Sequence, residues 1–305
     1  MVSGSRRRIS SRLTSTLAVV VLLAACAPGS EAVDTSPVAA PITTITSTSV
    51  TSTTSTTLTS PTSTVDPGSS EPETDLDFEI RVPDGEGPFP AAVLVHGGGW
   101  VGGSPALMDD LAAFLTDEGY LTLSAPYTLA NGTAGFPVAV DDIACAVRHI
   151  AAHPDADGTV AVIGHSAGAH LAALVALDEG TYGTECPLRD PVIPDRLVGL
   201  AGPYDVARLG PLMGPFFGVG PRDDPELWVS GNPLFQAGNN PDLSSLIMHG
   251  GEDGLVSFDF ATDFGAALTE AGTEVVVEVV EGARHNDMHD PDVVGDLIVT
   301  WLERG

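Results

Sequence analysis

Four short segments carry residue types that together could perform nucleophilic acyl chemistry. The first is Gly164-His165-Ser166-Ala167-Gly168, which follows an apolar run and precedes an apolar segment of helical period. A serine alcohol is a weak nucleophile and needs an exposed, sharp turn with a base nearby. Glycines on either side permit the strained strand-to-helix turn of a nucleophile elbow. The helix that starts behind the serine offers backbone N–H groups to a developing oxyanion. The second segment is His96-Gly97-Gly98-Gly99-Trp100, again directly after an apolar run. Consecutive glycines let backbone amides approach a substrate oxygen without a Cβ in the way. The amides of Gly98 and Gly99, with that of Ala167, are the expected three-donor hole. His96 reads as a residue that orders this loop rather than as a base. The remaining segments are Gly250-Gly251-Glu252-Asp253-Gly254-Leu255-Val256 and Gly282-Ala283-Arg284-His285, each just beyond a further apolar run. His285 is the expected general base and Asp253 the acid that fixes its tautomer, with Glu252 and His289 as rivals. His165 reads as structural, and His149, His153 and His170 as ordinary helix residues.

These side chains need a frame that brings distant segments to one edge. The sequence predicts strands at Phe78–Val82, Ala91–His96, Leu121–Ala125, Thr159–Gly164, Leu197–Ala201, Leu246–His249 and Glu274–Val280. Several are apolar on both faces, as buried parallel strands require. Helices are predicted at Ala106–Glu118, Val138–Ala152, Ala167–Leu177, Phe258–Ala271 and Asp292–Leu302. The alternation gives an α/β class with a mostly parallel, doubly wound sheet and helices on both faces. Residues 203–243 break the rhythm with Pro, Gly and aromatic pairs and read as a small cap insertion over the C-terminal edge. Trp100, Phe216, Phe217 and Trp228 are the candidate apolar walls of a substrate pocket.

The motifs HGGGW and GHSAGAHLA, in the chain order Ser, Asp, His, resemble the α/β-hydrolase superfamily over nearly all of residues 75–305. They are similar to its kynurenine-formamidase-like and carboxylesterase branch, as is the run from Tyr127 through Phe136-Pro137 to Asp141-Asp142 and Arg148. The resemblance implies serine-dependent hydrolysis of an ester or a small amide, without metal or cofactor. Two positions depart from the pattern. Thr128 stands where an arginine is frequent, and His165 stands where hormone-sensitive-lipase-like esterases carry Asp. In this fold Cys145 and Cys186 lie on elements flanking one strand, so a disulfide between them is expected if the chain is exported. Alternative functions are a formamidase acting on a small amide, an esterase of polysaccharide acyl groups, a peptidase, and a non-catalytic surface binding protein. The last is expected to have lost the nucleophile, the base or the glycines, all of which are present.

The rest of the chain supplies an address and a charge. Arg6, Arg7, Arg8 and Arg12 precede an apolar run from Leu17 to Ala25, too short to span a bilayer and suited to a secretory signal. Leu23-Ala24-Ala25-Cys26 resembles the lipobox of bacterial lipoproteins, which implies a signal peptide over 1–25 and lipid on Cys26. Residues 26–74 read as a disordered stalk: 18 of the 22 residues from Thr43 to Thr64 are Ser or Thr. The expected location is the outer face of the cell membrane, with the lipid as the sole membrane contact. The chain has 12 Lys+Arg, all arginine, against 41 Asp+Glu, a formal charge of −29. That balance excludes a basic nucleic-acid surface and favours a neutral small-molecule ester over an anionic one.

Overall fold

The computed structural model describes residues 78–132 and 135–304. The signal, Cys26 and stalk expected over 1–74 lie outside the described residues. In chain order the elements are β1 (Ile80–Arg81), β2 (Phe89–Val95), α1 (Asp109–Asp117), β3 (Leu121–Ala125), α2 (Val138–Ala151), β4 (Ala156–His165) and α3 (Ala167–Ala176). They continue with β5 (Arg196–Leu200), α4 (Gly214–Phe217), α5 (Pro225–Ser230), α6 (Pro233–Gln236), β6 (Ser244–Gly250), α7 (Asp259–Ala271), β7 (Glu274–Val280) and α8 (Pro291–Leu302). Short 3₁₀ turns occupy Pro105–Met108, Val206–Met213 and His285–His289.

The seven strands form one sheet in the order β1-β3-β2-β4-β5-β6-β7. Only β1 runs antiparallel, pairing Ile80 with Leu123; the other five pairings are parallel. Both faces are covered, which explains strands apolar at every position. Val93 and Val95 point into the layer with α2, α3 and α7, while Ala92 and Leu94 point into the layer with α1 and α8. The same alternation holds in β4, where Val160 and Val162 face one layer and Ala161 and Ile163 the other. Fully burying one such Val or Leu side chain is worth about 1.5–3 kcal/mol.

The strand order contains the feature that positions the site. The chain lays β3 on one side of β2 and then crosses to lay β4 on the other, with Val95 paired to Gly164. Loops leaving the carboxyl ends of β2 and β4 therefore part at a switch point, which opens a crevice there. From β4 onward each new strand is added next to its predecessor, so the loops after β6 and β7 follow along the same edge.

The segment after β5 folds as the 3₁₀ turn Val206–Met213 and the short helices α4, α5 and α6. It is tied to α7 by Arg208, which bonds Asp263 at 2.9 Å and lies over the Phe260 ring at 4.3 Å. Trp100, Phe216, Phe217 and Trp228, expected as pocket walls, are 6%, 1%, 2% and 5% exposed. Phe216 packs on Trp100, Phe136 and His170, and Phe217 stacks on Trp228. These rings are the core of the segment. Its helices are too short to bury apolar stripes, so aromatic side chains supply the buried area instead. Phe217 and Trp228 line surface hollows of about 740 and 470 Å³ respectively.

Candidate active site

The first site residue is held in a conformation that few residues adopt. Ser166 has φ 54° and ψ −121° between the end of β4 and the start of α3. Its N–H donates to the Leu200 carbonyl at 2.8 Å, which anchors the turn to β5. Strain of this kind costs about 1–3 kcal/mol and persists only where the surroundings over-determine it. The flanking glycines are what permits the packing. A Cβ on Gly164 would lie 2.2 Å from the Gly168 carbonyl oxygen, and one on Gly168 would lie 2.2 Å from that of Val95. The elbow therefore sits directly against the end of β2.

Asp253 and His285 come from the next strand ends along the edge. The His285 ring joins them: Nδ1 lies 2.7 Å from Asp253 Oδ2, and Nε2 lies 2.9 Å from Ser166 Oγ. A carboxylate can only accept, so Nδ1 carries the proton and Nε2 presents its lone pair to the serine hydroxyl. Asp253 Oδ1 accepts the backbone N–H groups of Leu255 and Val256 at 2.8 and 2.9 Å. Burial would push this carboxyl up. The Val256 N–H, the His285 ring and the Leu255 N–H outweigh that effect and hold it below the ordinary Asp value. The rivals are placed elsewhere. Glu252 pairs loosely with Arg284 at 3.9 Å on the surface, and His289 packs against the His165 ring.

The loop after β2 brings further donors. Gly98 has φ 128°, and a Cβ there would meet the Gly102 carbonyl oxygen at 2.0 Å. That carbonyl belongs to a tight turn in which the N–H of Gly102 donates back to the Gly98 carbonyl at 3.0 Å. No partner for the amides of Gly98, Gly99 or Ala167 is found among the described residues. His96 orders the loop from below: its Nδ1–H donates to the Gly97 carbonyl at 2.7 Å, and its ring stacks on Tyr127. Thr128 N–H donates to Asp142 at 2.6 Å, so a backbone group serves this acid.

Two histidines do more than their sequence context suggests. His165 Nε2–H donates to the His285 carbonyl at 2.9 Å, fixing the backbone that carries the His285 ring. His170, on α3, accepts from Trp100 Nε1 at 3.2 Å and donates to the Gly231 carbonyl at 2.9 Å. It thereby ties the glycine loop to the segment after β5. Burial pushes His165 down to about 3 and His170 down to about 4, so both are neutral. No motif marks either role; only the partners, 61 and more residues away, reveal them.

Behind the site, Cys145 on α2 is bonded to Cys186 in the loop after α3, with Cα atoms 5.4 Å apart. Arg148 holds the same loop through the carbonyls of Tyr182, Gly183 and Leu188. Cys145, Cys186 and His149 lie close enough to suggest a metal site, but both sulfurs are committed to the disulfide.

The parallel sheet, the elbow at the switch point and a Ser–His–Asp relay across three strand ends define the α/β-hydrolase fold. The sequence profile of the BD-FAE family matches residues 78–268, and the chain belongs to that family of α/β-hydrolase-type esterases. It is 34% identical over 125 residues to Esterase LipC of Mycobacterium tuberculosis, a stretch making up 39% of this chain and 31% of that relative. The chain thus matches less than a third of the curated relative's length. Among solved structures it is similar to a truncated carbohydrate esterase from gut microbiota, at 20% identity and TM-score 0.63, covering 74% of this chain and 90% of that one. It is also similar to an acetyl ester-xyloside bifunctional hydrolase from Caldicellulosiruptor lactoaceticus, at 20% identity and TM-score 0.64, covering 74% and 86%. The butyrate-bound Est2 esterase of Thermogutta terrifontis gives 21% identity and TM-score 0.61 over the same shares. At these identities the likeness to solved structures is one of fold.

Proposed function

We propose that this chain is a serine carboxylesterase that cleaves neutral esters through a covalent acyl-enzyme. The observation that carries the reading is the unbroken hydrogen-bond series from Asp253 through His285 to Ser166 Oγ. Ser166 Oγ attacks the acyl carbon while His285 Nε2 takes its proton. The amides of Gly98, Gly99 and Ala167 receive the oxyanion, and Asp253 stabilises the imidazolium. His285 then passes the proton to the leaving alkoxide, which departs as the alcohol. In the second half His285 deprotonates a water that attacks the acyl carbon, releasing the carboxylic acid and restoring Ser166. The chain's own residues supply every proton transfer.

The charge of −29 supports neutral esters as substrates. Relatives described as a carbohydrate esterase and an acetyl ester-xyloside hydrolase support acylated saccharides as the class to try first. The basic start, apolar run and Cys26 support export and lipid anchoring, so the reaction is assigned to the outer face of the cell membrane. Incorporation of labelled palmitate that is lost in Cys26→Ala tests the anchor.

Ser166→Ala is expected to lower p-nitrophenyl acetate hydrolysis by about 10³-fold or more without lowering the melting temperature. Turnover that persists in this variant contradicts the assignment. A panel of acetylated xylosides, p-nitrophenyl esters of increasing chain length and N-formylkynurenine then ranks ester against amide and sets the acyl length.

A further inference from the structure

The mechanism leaves one buried histidine beside the relay without a task. His249 is the penultimate residue of β6, is fully buried, and stands four residues before Asp253. Its Nε2 lies 2.9 Å from the Val256 carbonyl and 3.3 Å from Asp253 Oδ2. A carbonyl only accepts, so Nε2 bears a proton. Nδ1 is buried and has no hydrogen-bond partner among the described residues. A buried polar atom left unpaired is a cost that an apolar side chain of similar size would avoid. The paired group of the ring is its Nε2–H. Phe258 packs against it, with centroids 5.7 Å apart, and limits its rotation.

That N–H reaches the nucleophile through a continuous series. His249 Nε2–H donates to the Val256 carbonyl, and the N–H of Val256 donates to Asp253 Oδ1 at 2.9 Å. Asp253 Oδ2 accepts from His285 Nδ1, and His285 Nε2 meets Ser166 Oγ. Resting on the esterase reading above, we propose that His249 is a positioning residue for Asp253: its ring N–H locks the Asp253–Val256 turn and sets the plane of the carboxylate that aims His285. The same Nε2 lies 3.3 Å from Oδ2, while Leu255 and Val256 donate to Oδ1. Backbone pairing holds the loop as far as Asp253, whose N–H donates to the Gly250 carbonyl at 3.2 Å, and residues 254–256 lie beyond the β6–β7 ladder, whose last pair is Gly250 with Val280.

The test uses His249→Leu, His249→Gln and His249→Asn in the full chain, with two readouts. One is kcat and KM on p-nitrophenyl acetate. The other is the far-downfield proton resonance of the His285–Asp253 hydrogen bond, which needs no substrate. His249→Leu is expected to lose about 10- to 100-fold in kcat, as misaimed catalytic groups do, with KM changed less than about twofold. Its downfield resonance should shift or broaden. Gln carries an N–H at the distance of Nε2 and should restore both readouts, whereas Asn is too short and should not. If His249→Leu fails to fold, the Gln and Asn variants decide. Equal kcat and an unchanged resonance in Gln and Asn, or in a folded His249→Leu and wild type, overturn the proposal. A wild-type protein that shows the resonance but hydrolyses no ester counts against the esterase reading and leaves the resonance series to judge His249.

Discussion

Asp253 keeps its charge in a place where burial would remove it. Two backbone N–H groups on one oxygen and the His285 ring on the other make ionisation the favoured state. Asp253→Asn preserves the shape but removes the acceptor that selects the Nδ1–H tautomer. It is expected to lower kcat by about 10³- to 10⁴-fold, checked by steady-state kinetics beside a circular dichroism spectrum that stays unchanged. His170 acts at the same scale on stability rather than chemistry. His170→Leu strands both the Trp100 indole N–H and the Gly231 carbonyl in a buried setting. Urea unfolding should show a loss of about 2–4 kcal/mol.

At the scale of elements, the site is a consequence of strand order. The crossing between β3 and β4 puts the glycine loop and the elbow side by side, and stepwise addition of β5, β6 and β7 brings Asp253 and His285 along the same edge. The loop after α3 is secured from behind by Arg148 and the Cys145–Cys186 bond. Replacing both cysteines with alanine should cost about 2–4 kcal/mol in urea unfolding while kcat stays within about twofold, since neither sulfur touches the relay. Much of this arrangement was legible in the sequence. Leu121–Ala125 and Glu274–Val280 match their predicted strands end to end, because Gly and polar residues bracket short apolar runs. Ser166, Asp253 and His285 were legible for the same reason: each stands just past such a run. His165 was legible as structural, but its partner was not, nor were those of His170 and His249, because distant backbone carbonyls leave no residue-type signature. The four aromatics, expected as walls, are buried, and Phe217 and Trp228 also line surface hollows; wall and core differ only in what packs against the ring edge. The 3₁₀ turn at His285–His289 was missed because five residues carry no periodicity.

For the molecule as a whole, a loss of stability in acid follows from its buried neutral histidines. An unfolded chain takes up protons at His165 and His170 near pH 6.5, whereas the folded chain refuses them until about pH 3 and about pH 4. Stability from these two groups is therefore fully present above pH 6.5 and falls as pH drops. Each contributes a slope of about 1.4 kcal/mol per pH unit across that window. Asp253, held low, adds its own loss only below the ordinary Asp value of 3.8. The urea midpoint should decline steadily between pH 6.5 and pH 4.5, and a flat profile over that range contradicts the buried, neutral state of both rings. The surplus of carboxylates repels anions, and the proposed chemistry rests on one serine. Treatment with a fluorophosphonate followed by peptide mapping tests that dependence most directly. The account predicts a single adduct on Ser166 that is absent after heat denaturation; an unmodified Ser166 in native protein, or an adduct on another serine, contradicts it.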